Sequence, residues 1–249
     1  MTLTEIVEKV ADLIGDVDAL TQTQHTNNTG TISYLVCAGC LYERNFVEEL
    51  SDMWAGTTQA YTFEDEVPYV ANSRNRCDLV VEDVKKDDSW AIEVKRIQMF
   101  GDNGKKNDFG IGKIVSPYLH ERSSVLDAIR LQKAQLKKSA KKTITPTKKA
   151  IVMYGFEFGP DTADTATEIS DRLGLDETRV ANFEKSFKLM VADPKNDEIS
   201  LTKLIPLFEA ACGTEGIQLG PCVQKTFDFA KTSRHPLLYR GRILGWEVL

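Results

Sequence analysis

The sequence predicts an α/β fold, because short β-prone apolar runs alternate with longer segments whose apolar side chains recur at helical spacing. With 249 residues, of which 42% are hydrophobic, the chain can bury a sizeable core. It contains no internal repeat and no low-complexity linker. We therefore predict a single domain over 1–249, with a mixed central sheet flanked by helices. Its core spans about 31–160, and 161–249 form a C-terminal extension.

Two helices are predicted before the sheet. Residues 4–18 carry apolar side chains on one helix face, with Thr4 as the capping residue. Residues 21–30 are polar and rich in Asn and Thr, which indicates a loop. A second, longer helix is predicted over residues 31–54, where apolar residues again recur at helical spacing.

Glu43 interrupts the apolar face of that second helix. Burying a carboxylate without a partner is costly, so this residue must be protonated, paired with a cation or close to a metal ion. One alternative is an ion pair with Arg44, Arg74 or another basic group. A second is that the helix is rotated, so that Glu43 reaches water.

A strand and a β-hairpin are predicted next. The strand covers residues 61–70, and the hairpin strands contain the apolar runs 79–81 and 90–94. Residues 87–89 are polar and supply the turn between them.

Three ionisable side chains lie on this hairpin. Because side chains alternate along a strand, Glu93 and Lys95 project from one face while their apolar neighbours enter the core. Asp78, on the neighbouring strand, can point the same way. The sequence thus predicts that two carboxylates and one ammonium group converge beside an apolar layer. The alternative is a surface hairpin with an exposed ion pair.

The elements after the hairpin complete an alternating pattern. Residues 100–112 are rich in Gly, Asn and Lys and are predicted to form a loop near the mouth of the site. Ser123 or Ser124 can cap a helix that runs to Leu136, and residues 150–156 form an apolar strand. A helix between two strands commonly returns the chain to a parallel neighbour by a right-handed crossover.

The C-terminal extension is predicted to add helices and a hairpin. Residues 161–213 have a helical pattern with breaks at 193–196 and Pro206. Residues 236–249 indicate two short strands that turn at Gly241.

Asp78, a gap of fourteen residues and then Glu93-Val94-Lys95 resemble the signature of the PD-(D/E)xK phosphodiesterase superfamily, the restriction-endonuclease-like nucleases. The resemblance implies a restriction-endonuclease-like core in the order helix, three strands, helix, strand. The chain departs from the signature at Cys77, where the family pattern has Pro.

The resemblance also implies roles for the site residues. Asp78 and Glu93 would hold a magnesium ion, for which manganese is the expected substitute, and the backbone carbonyl of Val94 would be a further ligand. Lys95 would position or activate the attacking water. Glu43 matches the helix glutamate that completes the metal environment in many members, directly or through water.

Charge is distributed unevenly along the chain. The net charge is −6, yet residues 95–150 contain fourteen Lys and Arg against four Asp and Glu. Such a basic stretch beside a candidate site favours phosphate binding, and the alternative is a solvated lysine face. The candidate nucleic-acid contacts are Lys105, Lys106, Lys113, Lys137, Lys138, Lys141 and Lys142.

The cysteines and the N-terminus favour a cytoplasmic protein without a membrane partner. Five cysteines without regular spacing are typical of reduced thiols. Cys37 and Cys40 form a CxxC pair that can serve redox chemistry or zinc, but their expected role is helix packing. The N-terminal segment is acidic and amphipathic, unlike a signal peptide, and no apolar run is long enough to span a membrane.

The resemblance, the convergence of Asp78, Glu93 and Lys95, and the basic stretch together predict a magnesium-dependent phosphodiesterase. A DNA endonuclease of the restriction or host-defence type is favoured, and RNA is left open as a substrate. If the enzyme cuts both strands, two active sites and hence a homodimer are expected. The alternatives are a catalytically silent nucleic-acid-binding module and a regulatory protein on the same fold.

Overall fold

A computed structural model describes residues 1–20, 23–26, 33–36, 43–97, 114, 116, 123–139, 142–158, 178, 181, 201–227 and 238–249. Within these residues the chain forms four helices and one short 3-10 turn at Leu201–Lys203. The helices are α1 (Leu3–Leu20), α2 (Glu43–Thr57), α3 (Ser124–Gln132) and α4 (Leu204–Thr214). The strands are β1 (Thr23–Thr26), β2 (Ser33–Val36), β3 (Tyr61–Pro68), β4 (Arg76–Asp83), β5 (Ser89–Ile97), β6 (Leu136–Lys137), β7 (Thr143–Ile144), β8 (Lys148–Phe158), β9 (Val223–Phe227) and β10 (Leu238–Glu247).

A mixed six-stranded sheet in the order β3-β4-β5-β8-β10-β9 is the centre of the fold. Strands β3, β4 and β5 are antiparallel, whereas β8 lies parallel to β5 after the crossover that contains α3. Strands β10 and β9 extend the sheet in antiparallel register. The predicted α/β class, the mixed central sheet, the central hairpin and the parallel return are therefore confirmed.

Helices cover both faces of the sheet. On one face α1 and α2 pack against alternate side chains of the sheet, and Phe46 of α2 stacks on Tyr154 of β8 with ring centroids 4.0 Å apart. On the other face α3 and α4 cover the remaining side chains, and the rings of Phe208 and Trp246 meet at 4.9 Å. Burying side chains of this size contributes roughly 1.5–3 kcal/mol each, so both apolar layers stabilise the central strands.

The N-terminal region differs from the sequence prediction in two places. The second helix begins at Glu43 and not at residue 31, because Ser33–Val36 pairs with Thr23–Thr26 as a separate antiparallel hairpin. The prediction of a polar loop over residues 21–30 is therefore wrong for Thr23–Thr26, which form β1. Thr2, rather than Thr4, caps α1, since its hydroxyl accepts from the Glu5 backbone N–H and the Glu5 carboxylate accepts from the Thr2 N–H.

The C-terminal prediction is also corrected. Gly241 is not a turn but lies inside the continuous strand β10, where the Phe227 ring covers it. A Cβ atom at Gly241 would lie 2.0 Å from that ring, so the glycine is required for close approach. Pro206 does not break a helix, because it occupies the first turn of α4, where a missing N–H is tolerated.

The predicted third helix is confirmed over a shorter range. Ser123 is the cap, and its hydroxyl accepts from the Leu126 backbone N–H. The helix ends at Gln132, so Leu136 lies in β6 and not in the helix. The predicted helical pattern over 161–200 lies almost entirely outside the described residues.

Two further sequence predictions concern thiols and membranes. Cys77, Cys212 and Cys222 are free, whereas Cys37 and Cys40 lie outside the described residues. Of the helices that the structure describes, none combines the length and the apolar character needed to cross a bilayer.

Candidate functional site

The site is built on the central hairpin of the sheet. Leu79 pairs with Ile92, so Asp78 of β4 follows beside Glu93 of β5. The Asp78 carboxylate accepts a hydrogen bond from the Val94 backbone N–H at 2.7 Å. Asp78 is half-buried, whereas Glu93 is buried, so the two carboxyl groups lie at the boundary between the core and its surface.

A strained residue lies in the strand next to Asp78. Pairing between β3 and β4 is regular at Asp65 and Leu79 and resumes at Val67 and Cys77. Between these pairs Glu66 has a φ of +53°, in the left-handed region that residues with a side chain rarely adopt. Left-handed strain of this kind often marks a functional site, and here it distorts the ladder at the level of Asp78.

Glu93 is held by a phenol and by the second carboxyl group. The Tyr69 hydroxyl donates to Glu93 Oε1 at 2.5 Å, and the Asp78 carboxyl group is close enough to affect the pKa of Glu93. Burial, together with the neighbouring acidic groups, raises the pKa of Glu93 well above its usual range. Burial also raises the pKa of Asp78 to about 7, although the Lys95 ammonium opposes this rise. A negative charge on both carboxyl groups at once is therefore unfavourable, and a bound cation would relieve it.

Lys95 lies on the same sheet face as Glu93, and only 8% of its surface is exposed. Its Nζ donates to Glu43 Oε1 at 2.9 Å and lies 3.2 Å from Asp127 Oδ2. Burial alone would lower the pKa of this ammonium, but the Asp127 and Glu43 carboxylates outweigh it and raise the pKa above its usual range. Lys95 therefore stays charged.

Glu43 is the first residue of α2, and its side chain is partly exposed. While one oxygen binds Lys95, the other accepts from the Arg96 backbone N–H at 2.8 Å. Glu43 thus forms an ion pair with a basic group, which was the alternative to a metal contact. The position that the sequence predicted for Glu43, inside the apolar face of a longer helix, is wrong because α2 begins at this residue.

Two residues of the site were missed at the sequence level. Asp127 of α3 is 3% exposed and contacts both Lys95 and Arg130. It lies on the buried face of α3 together with Ser124 and Leu131, so the criterion that singled out Glu43 would have found it. Tyr69 gave no such signal, because it simply follows the end of β3 and its partner Glu93 is distant in sequence.

The donor set at the hairpin fits a hard divalent cation. Asp78 and Glu93 supply carboxylate oxygens in mutual contact, and such oxygens are the ligands that magnesium prefers. Across the described residues, however, no three Asp, Glu, His or Cys side chains form a complete ligand group. The Val94 carbonyl and a water-mediated Glu43 therefore stay predictions, and solvent or substrate oxygens would have to fill the remaining positions.

The predicted phosphate-binding lysines are only partly described. Lys137 and Lys142 are exposed on the β6–β7 hairpin. Lys138 differs from them, since it forms ion pairs with Glu64 at 3.0 Å and with Glu82. Lys105, Lys106, Lys113 and Lys141 lie outside the described residues.

Comparison of the chain with protein-family models, curated proteins and solved structures found no match. The chemistry of the site therefore rests on its own geometry. Two neighbouring carboxyl groups can hold a metal ion, and an adjacent ammonium that stays charged can stabilise negative charge on a bound anion.

Proposed function

We propose that the protein is a metal-dependent nuclease with a restriction-endonuclease-like core, related to the PD-(D/E)xK phosphodiesterases, that hydrolyses DNA. The supporting observation is the convergence of the Asp78 and Glu93 carboxyl groups and the Lys95 ammonium on two adjacent strands. The order of elements around these strands supports the same proposal. A restriction or host-defence role would use this activity against incoming DNA.

Asp78 and Glu93 are the proposed metal ligands. Their oxygens would hold a divalent cation, and the hydrogen bond from Tyr69 keeps Glu93 oriented. The Val94 N–H fixes Asp78 in the same way. Bound magnesium would shield the phosphodiester charge and lower the pKa of the attacking water.

Lys95 is the proposed electrostatic catalyst. Its charge is maintained by Glu43 and Asp127, and its position beside Glu93 is fixed by strand β5. An ammonium at this position can donate to the attacking oxygen or to the phosphate oxygen on which charge develops. The proposal thus assigns metal binding to the carboxylates and charge stabilisation to the lysine.

DNA contacts are proposed for the exposed lysines of the β6–β7 hairpin. Each phosphate that Lys137 or Lys142 neutralises would release counterions, which gives binding a steep salt dependence. Cleavage of both strands requires two such sites. We therefore propose a homodimer for double-strand cleavage, which sedimentation of the protein with and without DNA would test.

The decisive experiment is cleavage of supercoiled plasmid DNA by Lys95→Ala in the presence of magnesium or manganese. Loss of the ammonium should lower the cleavage rate by about 100-fold or more, because charge stabilisation at the reacting phosphate is lost. Lys225→Ala is the matched control, since Lys225 is an exposed strand lysine on β9. EDTA should stop the wild-type reaction, and a fully active Lys95→Ala protein would contradict the assignment.

One observation favours the alternative of a silent DNA-binding module. Lys95 is already paired with two carboxylates, which is also how an internal ion-pair network without catalysis would look. Under that alternative the wild-type protein retards DNA in gels but leaves it intact with either metal ion. The plasmid assay therefore separates the two functions directly.

A further inference from the structure

The Asp127 carboxylate is buried in a way that packing alone does not explain. It is 3% exposed, and its Oδ1 accepts from Arg130 at 2.8 Å, one turn along α3. Its Oδ2 lies 3.2 Å from the Lys95 ammonium, and within the described residues no hydrogen bond reaches this oxygen. Burying a charged oxygen is costly, so a buried Asp127 carboxylate with one oxygen beside the Lys95 ammonium indicates that this contact has a role.

Lys95 is held from both sides of the sheet. Glu43 belongs to α2 on one face, and Asp127 belongs to α3 on the other. An ammonium group has three N–H donors. One of them is donated to Glu43 Oε1, and the Asp127 carboxylate restricts the group further through an ion pair at 3.2 Å.

We propose that Asp127 is a positioning residue, which aims the Lys95 ammonium at the reacting phosphate while Arg130 orients Asp127 in turn. The inference rests on the proposed nuclease function and deepens it. Asp127 acts through Lys95 and does not touch the substrate. Glu43 supplies the second anchor, which is fixed to the sheet through the Arg96 N–H.

A purely structural role for Asp127 makes a different prediction. If the carboxylate served only to attach α3 to the sheet, its loss would lower stability and would affect catalysis equally with or without Lys95. If it positions Lys95, its effect on catalysis disappears once Lys95 is gone. Double-mutant analysis separates these two cases.

The test begins with Asp127→Asn, which preserves the shape of the side chain and removes its charge. We expect kcat for DNA cleavage to fall about 10- to 100-fold, the range typical of residues that orient a primary group. KM for DNA and the half-saturating magnesium concentration should not change. Asp52→Asn is the control, because Asp52 is an exposed aspartate on α2, and it should match the wild type.

The same substitution is then made in a Lys95→Gln background. The positioning role predicts that Asp127→Asn adds less than a twofold loss there, whereas a full additional 10-fold loss would overturn it. If Asp127→Asn does not fold, Arg130→Gln replaces it, since this variant releases Oδ1 and should lower kcat in the same Lys95-dependent manner.

A second readout is independent of nuclease activity. The ammonium of Lys95 should give a resolved 1H–15N signal in the wild type, because burial and two carboxylate contacts slow its exchange, and Lys95→Gln identifies that signal. Asp127→Asn should shift or broaden it, while Asp52→Asn should not. Wild-type protein that fails to cleave DNA refutes the proposed function alone, whereas an unchanged Lys95 signal in Asp127→Asn refutes the positioning role.

Discussion

Two buried ionic clusters in the described part of the sheet differ in which charge is in excess. At the cluster around Glu157 a fully buried carboxylate of β8 accepts from Arg240 and Arg242 of β10, and from the Leu201 backbone N–H at 2.9 Å. At the hairpin cluster, by contrast, acidic groups outnumber their described cationic partners. Its members are Glu43, Asp78, Glu93, Lys95, Asp127 and Arg130.

This difference shows which of the two clusters can bind a cation. Glu157 has its oxygens satisfied by arginine and backbone donors, so a metal ion would have to displace a guanidinium. Asp78 and Glu93 instead lie side by side and accept from the Val94 N–H and the Tyr69 hydroxyl, so their oxygens can bind a divalent cation without displacing a guanidinium among the described residues. The first cluster therefore holds β8, β10 and the 3-10 turn together, and the second has capacity for a ligand.

The strongest test of the structural cluster is Glu157→Gln. Removing the charge leaves two arginines beside a neutral amide in a buried position, so the free energy of unfolding should fall by about 3–5 kcal/mol. Urea denaturation followed by tryptophan fluorescence measures the change. Magnesium affinity should not respond, and a loss below about 1 kcal/mol would show that the two clusters do not differ as described.

The hairpin cluster should make stability depend on pH. Because the pKa of Asp78 is raised to about 7 in the folded protein, folding takes up a proton there. Its stabilising contribution is complete below about pH 4 and is lost as the pH rises through about 7, a change of about 2 kcal/mol after allowance for partial exposure. Denaturation midpoints without divalent ions, from pH 5 to 8, measure this loss.

Asp78→Asn is the control for that pH dependence. The variant cannot ionise, so its stability should be flatter over the same range, and at pH 8 it should exceed that of the metal-free wild type. Magnesium should restore the wild type at pH 8 but not the variant, because the variant lacks one of the two carboxylates that would hold the ion. Equal pH slopes for both proteins would exclude Asp78 as the titrating group.

The lysines of the β6–β7 hairpin differ in whether they form ion pairs, and replacing them should have a smaller effect. Changing Lys137 and Lys142 together to Gln should lower the slope of log affinity for DNA against log salt by up to about two. Lys138→Gln should leave that slope unchanged, since Lys138 is paired with Glu64 and Glu82, and should lower stability instead. Fluorescence anisotropy with a labelled duplex at several salt concentrations gives the slopes, and equal changes for both variants would count against selective phosphate contact.

The smallest expected effect concerns the strained residue beside Asp78. Glu66→Gly should raise the free energy of unfolding by about 0.5–1 kcal/mol, because glycine adopts a positive φ without steric cost. Thr62→Gly, in the same strand, should lower the free energy of unfolding by a similar amount, because glycine weakens an ordinary strand position. If both variants are destabilised alike, the φ of +53° carries no strain.

The sequence was sufficient for elements whose signals are local. The hairpin of β4 and β5, the Ser123 cap and strand β8 follow from periodicity and capping residues within short segments. The juxtaposition of Asp78, Glu93 and Lys95 also follows, because strand alternation fixes their common face.

Other features depended on distant partners and were missed for that reason. Strand β2 was predicted as helix because its pairing with β1 is invisible to a single-segment pattern. Gly241 was predicted as a turn because the Phe227 ring that requires it belongs to another strand. Asp127 and Tyr69 likewise enter the site through contacts across the fold, with Lys95 and Glu93 respectively.

The position of β10 has a consequence for how the fold is reached. This strand comes last among the sheet strands in sequence yet lies between β8 and β9, and it pairs Glu247 with the distant Ala150. Contacts between residues so far apart carry a large loop-closure entropy before any stabilisation is gained. Refolding should therefore be slow for a chain of this length, with the edge of β8 exposed to intermolecular pairing until β10 docks.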